Sequence, residues 1–322
     1  MDHKKTFYFD EIQNIIGWER FVRRLHDEGN KIYVTGSNAA MLSAELGTRL
    51  TGRYLQFNLY PFSFDEFLDF QGQKDLTSQR PTTDIKGRLK RAWNDYLSKG
   101  GLPGYLELPD PEYLHSIYQS ILYRDIIVRH KINNDKAIKE LAYYLASNVG
   151  KLCTYNSLRK TIGVASASTI SDYCGYFEDS YLCFFVNRFD YAVSKQIASP
   201  KKVYFIDTAL AVNTGFRFSQ DQGRLLENIV FLELKRRGYD VFYHQGKYEC
   251  DFIIRQGREV MAAIQVCVDL ETAQTQAREF AGLREAMVSY NLDTGLIITL
   301  DKIEEQDGVT VIPIWKWLLQ DA

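Results

Sequence analysis

The spacing of apolar and polar residues changes period several times along the chain. From residue 5 to about 60 short apolar runs alternate with helically spaced ones, as "KTFYFDEI", "GWERFVRRLHDEG", "KIYVTGS", "AAMLSAELGTRLTG" and "RYLQFNLYPF". The predicted order is strand, helix, strand, helix, strand, which indicates a parallel sheet covered by helices. Next come "SFDEFLDFQGQ" and a polar interval with "SQRPTTD". A long helical region, "IKGRLKRAWNDYLSKGGLPGYLELPDPEYLHSIYQSILYRDIIVRHKI", is punctuated by Gly100, Gly101, Pro103 and Gly104, which end or bend helices.

From about 134 to 195 the pattern predicts three helices and a strand, with Ser166 or Ser168 as the N-cap of the helix in "IGVASASTISDYCGYFEDS". After "KKVYFIDTAL" a second α/β unit follows. It reads as helix "GRLLENIVFLELKRRG", strands "DVFYHQ", "ECDFIIR" and "EVMAAIQVC", helix "TAQTQAREFAGLREAMVSY", and strands "GLIITL" and "VTVIPIW".

Composition narrows the picture without changing it. With 322 residues, 45% apolar and 25% charged, the chain is expected to fold into two or three globular units. A formal net charge of -2 excludes a chain-wide attraction to nucleic acid, so any contact with duplex DNA must be local. The strongest apolar run, "YLCFFV", is far shorter than the roughly 18 to 20 residues of a membrane helix. The opening "MDHKKTFYFDE" reaches two carboxylates before a signal-peptide core could form, so a cytoplasmic location and no membrane partner are expected. Cys153, Cys174, Cys183, Cys250 and Cys267 form no CxxC pair, and the five histidines show no paired-ligand spacing. Neither a disulfide framework nor a zinc site is predicted.

Candidate chemistry begins at "FYFDE". In P-loop enzymes an apolar strand delivers an Asp to a nucleotide-bound magnesium ion, and a following Glu can orient the attacking water. Asp10 and Glu11 stand at the carboxyl end of such a strand, where ligands of open α/β sheets bind. One helix later, "KIYVTGSN" ends in Ser37 and Asn38, small polar groups suited to sensing a γ-phosphate. "LGTRLTGR" then supplies Arg49 and Arg53, which could reach a neighbouring subunit's phosphates.

This order of motifs resembles the AAA+ ATPases, specifically the bacterial and archaeal ATP-binding family with a C-terminal domain of unknown function. "YFDEIQ", "TGSNAAML", "LTGRY", "YPFSFDEFL", "GGLPGY", "YRDIIVRH", "KKVYFIDTAL" and "LLENIVFLELKRRG" carry the resemblance, in order and over essentially the whole chain. It implies an α/β multidomain protein. A partial AAA+ parallel-sheet core (1–62, Walker B to the arginine-finger region) precedes a helical connector (63–133), a winged helix (134–198) and a restriction-endonuclease-like α/β domain (199–322). ATP and magnesium are the cofactors that the resemblance implies, with Asp10 as the metal ligand, and arginines acting between subunits suggest a homo-oligomer.

One part of the family pattern is missing. A phosphate loop of the GxxxxGK(S/T) type lies upstream of the Asp-Glu strand in the family, and here nine residues precede Asp10. The pairs Gly150-Lys151 and Gly246-Lys247 lack its glycine and hydroxyl spacing. The resemblance also places the absent strand in mid-sheet, between the sensor strand and "RYLQFNL", so the N-terminal unit is expected to be distorted or completed by another chain. Tight binding of ATP or magnesium, and hydrolysis, are not expected of this chain alone.

Two further constellations follow. "TYNSLRKTIG", "VASASTISDYCGYFEDS" and "LCFFVNRF" have the helix, turn, helix and wing order of a winged helix, with Lys151, Arg159 and Lys160 available for phosphates and no basic residue on the reading helix. Glu227 on a helix, Glu249 and Asp251 on a strand, and "IQVC" resemble a restriction-endonuclease-like layout. The metal pair would be Asp251 and Gln265, with Cys267 in the position of the catalytic lysine. A neutral amide is a poor magnesium ligand and a thiol no substitute for an ammonium, so an inactive site is expected.

The expected function is therefore that of an ATP-binding-family (AAA+ ATPase-like) protein unable to hydrolyse ATP by itself because the phosphate loop is absent. The alternative is a nucleic-acid-binding regulator acting through the winged helix and an inactive nuclease-like domain. A metal-dependent nuclease is the third reading.

Overall fold

In the computed structural model, which describes residues 4–12, 15–36, 54–78, 82–215 and 222–320, mixed α/β structure is distributed over three sheets. The first is small. β1 (Thr6–Phe9) and β2 (Lys31–Val34) pair in parallel, Phe9 opposite Val34, with α1 (Trp18–Asp27) as the crossover. Their core is a separate cluster of Ile12, Trp18 and Val22 packed on Phe9, Ile32 and Val34.

The strand expected at "RYLQFNLYPF" does not form over residues 54–60. Leu55, Phe57 and Leu59 are 85%, 87% and 98% exposed, and none of the three sheets of the described residues takes the segment in. An alternating pattern becomes a strand only when a neighbouring ladder accepts its backbone groups. Ser37, Asn38, Arg49 and Arg53 lie outside the described residues, as does the whole of the expected second helix.

The helical region starts with α2 (Phe64–Phe70), whose capping box joins Ser63 and Glu66. α3 (Asp75–Ser78), α4 (Thr83–Lys99), α5 (Pro103–Glu107) and α6 (Pro111–Ser120) follow, and α6 runs into a π-helical stretch, Ile121–Val128. Gly100 ends α4 at φ +66°, a backbone that an L side chain rarely adopts, and a Cβ there would fall 2.2 Å from Asp207.

α7 (Asp135–Ala146), β3 (Leu152–Cys153), α8 (Tyr155–Ile162), α9 (Ala167–Asp179) and β4 (Cys183–Asn187) come next. Ser166 caps α9 by accepting from the Ser168 amide at 3.1 Å. After α10 (Val193–Ala198), β5 (Lys201–Phe205) returns between β3 and β4, antiparallel to both. A division after residue 198 therefore passes through this three-stranded sheet, because β4 and β5 pair along their whole length.

α11 (Thr208–Thr214) and α12 (Gln222–Arg236) lead into the third sheet. Its strands are β6 (Asp240–Gln245), β7 (Glu249–Gln256), β8 (Glu259–Val266), β9 (Gly295–Thr299), β10 (Glu304–Gln306) and β11 (Val309–Pro313), with α13 (Ala273–Tyr290) crossing from β8 to β9 and α14 (Ile314–Leu318) closing the chain. The order is β10-β11-β9-β8-β7-β6, parallel at β11/β9 and β9/β8 and otherwise antiparallel. One large apolar core runs from Phe64 in α2 to Leu318 in α14, so the helical region, the three-stranded sheet and one face of the six-stranded sheet share it. A second cluster lies under α13.

Candidate functional site

Two groups of the predicted residues can be located. The first is at the carboxyl ends of β1 and β2. Thr35 follows β2 directly, and its amide donates to the Phe9 carbonyl at 2.9 Å, which sets its side chain beside Asp10. The Thr35 hydroxyl donates to Asp10 Oδ1 and accepts the Glu11 amide at 3.3 Å. Glu11 itself has φ +48°, in the left-handed region that few non-glycine residues occupy. The Asp10 side chain is exposed. Arg124, on the π-helical stretch, has its pKa raised first by its hydrogen bond and charge pairing with Asp125, and to a lesser degree by Glu11. Sequence reading overlooked Thr35, although it is the first polar residue after the apolar run of β2.

The second group lies where β5, α12, β7 and β8 meet. Side chains two apart on a strand share a face. Lys202 and Tyr204 of β5 accordingly point the same way, as do Glu249 and Asp251 of β7. Their faces meet at the Lys202 ammonium, which lies 2.9 Å from Glu227 Oε1, 2.7 Å from Glu249 Oε1 and 2.8 Å from Asp251 Oδ1. Lys202 is 1% exposed. The Tyr204 hydroxyl donates to the same Glu227 oxygen at 2.5 Å. Burial opposes the charge on Lys202, but the acids, Asp251 foremost, outweigh it and hold the ammonium well above the ordinary lysine range. Burial pushes Glu227 up to about 7, with Lys202 acting in the opposite direction.

Asp251 and Gln265 do come together, through hydrogen bonds within the sheet. The second Asp251 oxygen accepts the Val266 amide at 2.9 Å, and Gln265 Oε1 accepts the Asp251 amide at 3.2 Å. The Gln265 amide nitrogen donates to Glu279 at 2.6 Å, and Arg278 is bonded to the same carboxylate. Cys267 is buried, and burial raises its thiol to about 12, so it is a neutral wall residue. The ammonium of this centre comes from Lys202 on another strand, not from the position of Cys267. Among the described residues no group of three or more His, Cys, Asp or Glu side chains is arranged to hold a metal ion.

A cavity of about 640 Å³ opens beside these groups, with Arg224, Lys247 and Arg278 on its wall together with Glu227, Asp251 and Gln265. The two glycine-lysine pairs serve as turns. Gly150, at φ +72°, donates to the Val203 carbonyl at 2.8 Å, and a Cβ there would stand 3.1 Å from Glu227. Gly246 lies in the β6–β7 turn, where Glu285 accepts the amides of Lys247 at 2.8 Å and Tyr248 at 3.0 Å.

Around α8, Arg159 donates to the Ala165 carbonyl at 3.2 Å and Lys151 to Asn148 at 3.0 Å, while Lys160 is exposed. All five cysteines are buried and free. No helix of the described residues is long and apolar enough to cross a membrane.

Residues 1–68 match the family model of an AAA domain, and residues 90–220 and 222–317 match those of two domains of unknown function, DUF8612 and DUF4143. Among curated proteins the chain is similar to the uncharacterized protein MJ1544 of Methanocaldococcus jannaschii, with 36% identity covering 98% of this chain and 75% of that protein. An uncharacterized protein of Haemophilus influenzae is 31% identical over 98% of this chain and 78% of its own length. A second M. jannaschii protein, MJ1637, is 25% identical over 99% of this chain and 71% of its own.

Proposed function

The chain belongs to the same AAA-like family as the MJ1544 protein and the H. influenzae relative, and from that premise we propose that it is an ATP-binding-family protein whose C-terminal unit binds rather than cleaves. The observation that carries the reading is the hydrogen bond from Thr35 to Asp10 at the carboxyl ends of two parallel neighbouring strands, inside the region that matches an AAA domain. Asp10 is exposed and has one oxygen fixed, which suits it to magnesium. That ion typically takes one or two carboxylates and completes its shell with phosphate oxygens and water. Bound there, magnesium would neutralise charge on the phosphates, and Glu11 would orient water.

Neither glycine-lysine pair of this sequence cradles a phosphate, since both are structural turns. This supports a reading in which turnover by this chain alone is at background level. Phosphate release from ATP in magnesium, compared between the wild type and Asp10→Asn, tests this. Equal rates are expected, and turnover that depends on Asp10 contradicts the reading.

The restriction-endonuclease-like reading of residues 199–322 is supported by Glu227 on a helix facing Asp251 and Gln265 on adjacent antiparallel strands. A winged-helix reading of the preceding unit is supported by α8, α9 and the antiparallel β4–β5 pair. Its use on duplex DNA draws less support. Arg159 and Lys151 are engaged within the unit, and α9 exposes Ser168 and Asp172 rather than cations. Packing of this unit into the shared core favours a structural role.

A further inference from the structure

We infer that the Lys202 ammonium is the resident cation of the Glu227, Glu249 and Asp251 cluster, and that it shuts out the divalent metal that a nuclease-like layout would place there. The inference goes beyond the nucleotide reading and does not depend on it.

Geometry is the first support. An ammonium has three N–H donors. Here three carboxylates from two elements converge on one nitrogen at 2.7 to 2.9 Å, one for each donor. Magnesium requires near-octahedral oxygens at roughly 2.0 to 2.1 Å, and calcium six to eight at roughly 2.3 to 2.6 Å. The space among these acids has the size of an ammonium group and contains one.

The second support is that Lys202 cannot readily withdraw. It is in the middle strand of its sheet, opposite Leu152 on one side and Val186 on the other. Its stem is fully buried, and the ammonium lies 5.9 Å from the centre of the Tyr243 ring. A dication entering the cluster would meet this fixed positive charge at contact distance in a medium that screens poorly.

Third, the second oxygen of Asp251 and both polar atoms of the Gln265 side chain are committed elsewhere. The second Asp251 oxygen holds the Val266 amide, the Gln265 oxygen holds the Asp251 amide, and the Gln265 nitrogen is bonded to Glu279. Turning any of them toward an ion would break a buried hydrogen bond. The acids that resemble a hydrolytic centre thus form one wall of the 640 Å³ cavity with a cation of the chain already seated among them.

Manganese binding followed by electron paramagnetic resonance on the full chain tests the inference, using the wild type, Asp251→Asn, Lys202→Ala and the double variant. The wild type is expected to show no saturable site that Asp251→Asn removes, a control that discounts weak binding at Asp10. In Lys202→Ala the metal takes the vacated space. Affinity should rise by roughly tenfold or more, with the gain lost in the double variant. Asp251-dependent binding by the wild type overturns the inference, as does a folded Lys202→Ala that binds no better than the wild type. A Lys202→Ala chain that folds only with manganese present supports it. If that variant folds under neither condition, the wild-type comparison decides alone, its silence upholding the inference and an Asp251-dependent signal overturning it.

Discussion

Asp207 accepts the Gly101 amide at 2.7 Å across 106 residues of sequence, in a fully buried contact. Its other oxygen caps α11 by accepting the Leu210 amide at 3.0 Å. One carboxylate therefore locks the helical region to the turn after β5, and the neighbouring Phe62 amide adds a bond to the Gly101 carbonyl at 2.8 Å. Asp207→Ala removes a cap and leaves a buried amide without a partner. The expected cost is about 3 kcal/mol, read as a lower urea midpoint. Gly100→Ala should destabilise through the same contact, because its Cβ meets the carboxylate. An Asp207→Ala chain as stable as the wild type would show that the two units are held together by other means.

Asn228 supplies a second tie. Fully buried on α12, it accepts the Phe205 amide at 2.7 Å and donates to the Phe205 carbonyl at 2.9 Å, completing the end of β5 as a neighbouring strand would. Asn228→Ala leaves both backbone groups unpaired and should cost about 2 to 5 kcal/mol in chemical denaturation. Asn228→Asp keeps the acceptor but loses the donor and buries a charge, so its deficit should be larger at pH 8 than at pH 5.

Glu227 makes stability depend on pH. Its folded-state pKa, about 7, lies above the ordinary 4.5, so between these values the native chain keeps a proton that the unfolded chain has released. The native state binds more protons there, and the contribution of this group to stability falls as pH rises from about 4.5 to 7, then levels off. Glu227→Gln keeps an acceptor for Lys202 and Tyr204 and removes the titration. Relative to the wild type it should gain on the order of 2 kcal/mol between pH 5 and pH 8 in paired urea titrations. A constant difference across that range would mean that Glu227 stays ionised in the folded chain.

Much of this architecture could be read from periodicity. Five of the six strands of the C-terminal sheet and the helices α12 and α13 fall where apolar spacing puts them, and of the two candidate caps Ser166 is the one that caps α9, whereas β10 and α14 carried no such signal. Two quoted motifs, "GGLPGY" and "KKVYFIDTAL", turn out to be the two sides of the Asp207–Gly101 contact, which no local pattern reveals. The segment at 54–60 misled because alternation records which side chains could share a face, not whether a neighbouring strand is there. Lys202 was missed for a related reason. Two adjacent lysines opening a strand look like a solvated end, and the partners that bury the second one lie 25 and 49 residues further on. Cys267, read from the sequence as a thiol standing in a lysine's position, is buried and neutral.

Titration of ATP into this chain in the presence of magnesium, followed by calorimetry, bears most directly on the nucleotide reading. Asp10 and Thr35 are joined by a hydrogen bond at the ends of two parallel strands, while both glycine-lysine pairs lie in turns of the fold. No saturable heat up to millimolar ATP is the expected result. Micromolar affinity that disappears in Asp10→Asn would contradict it.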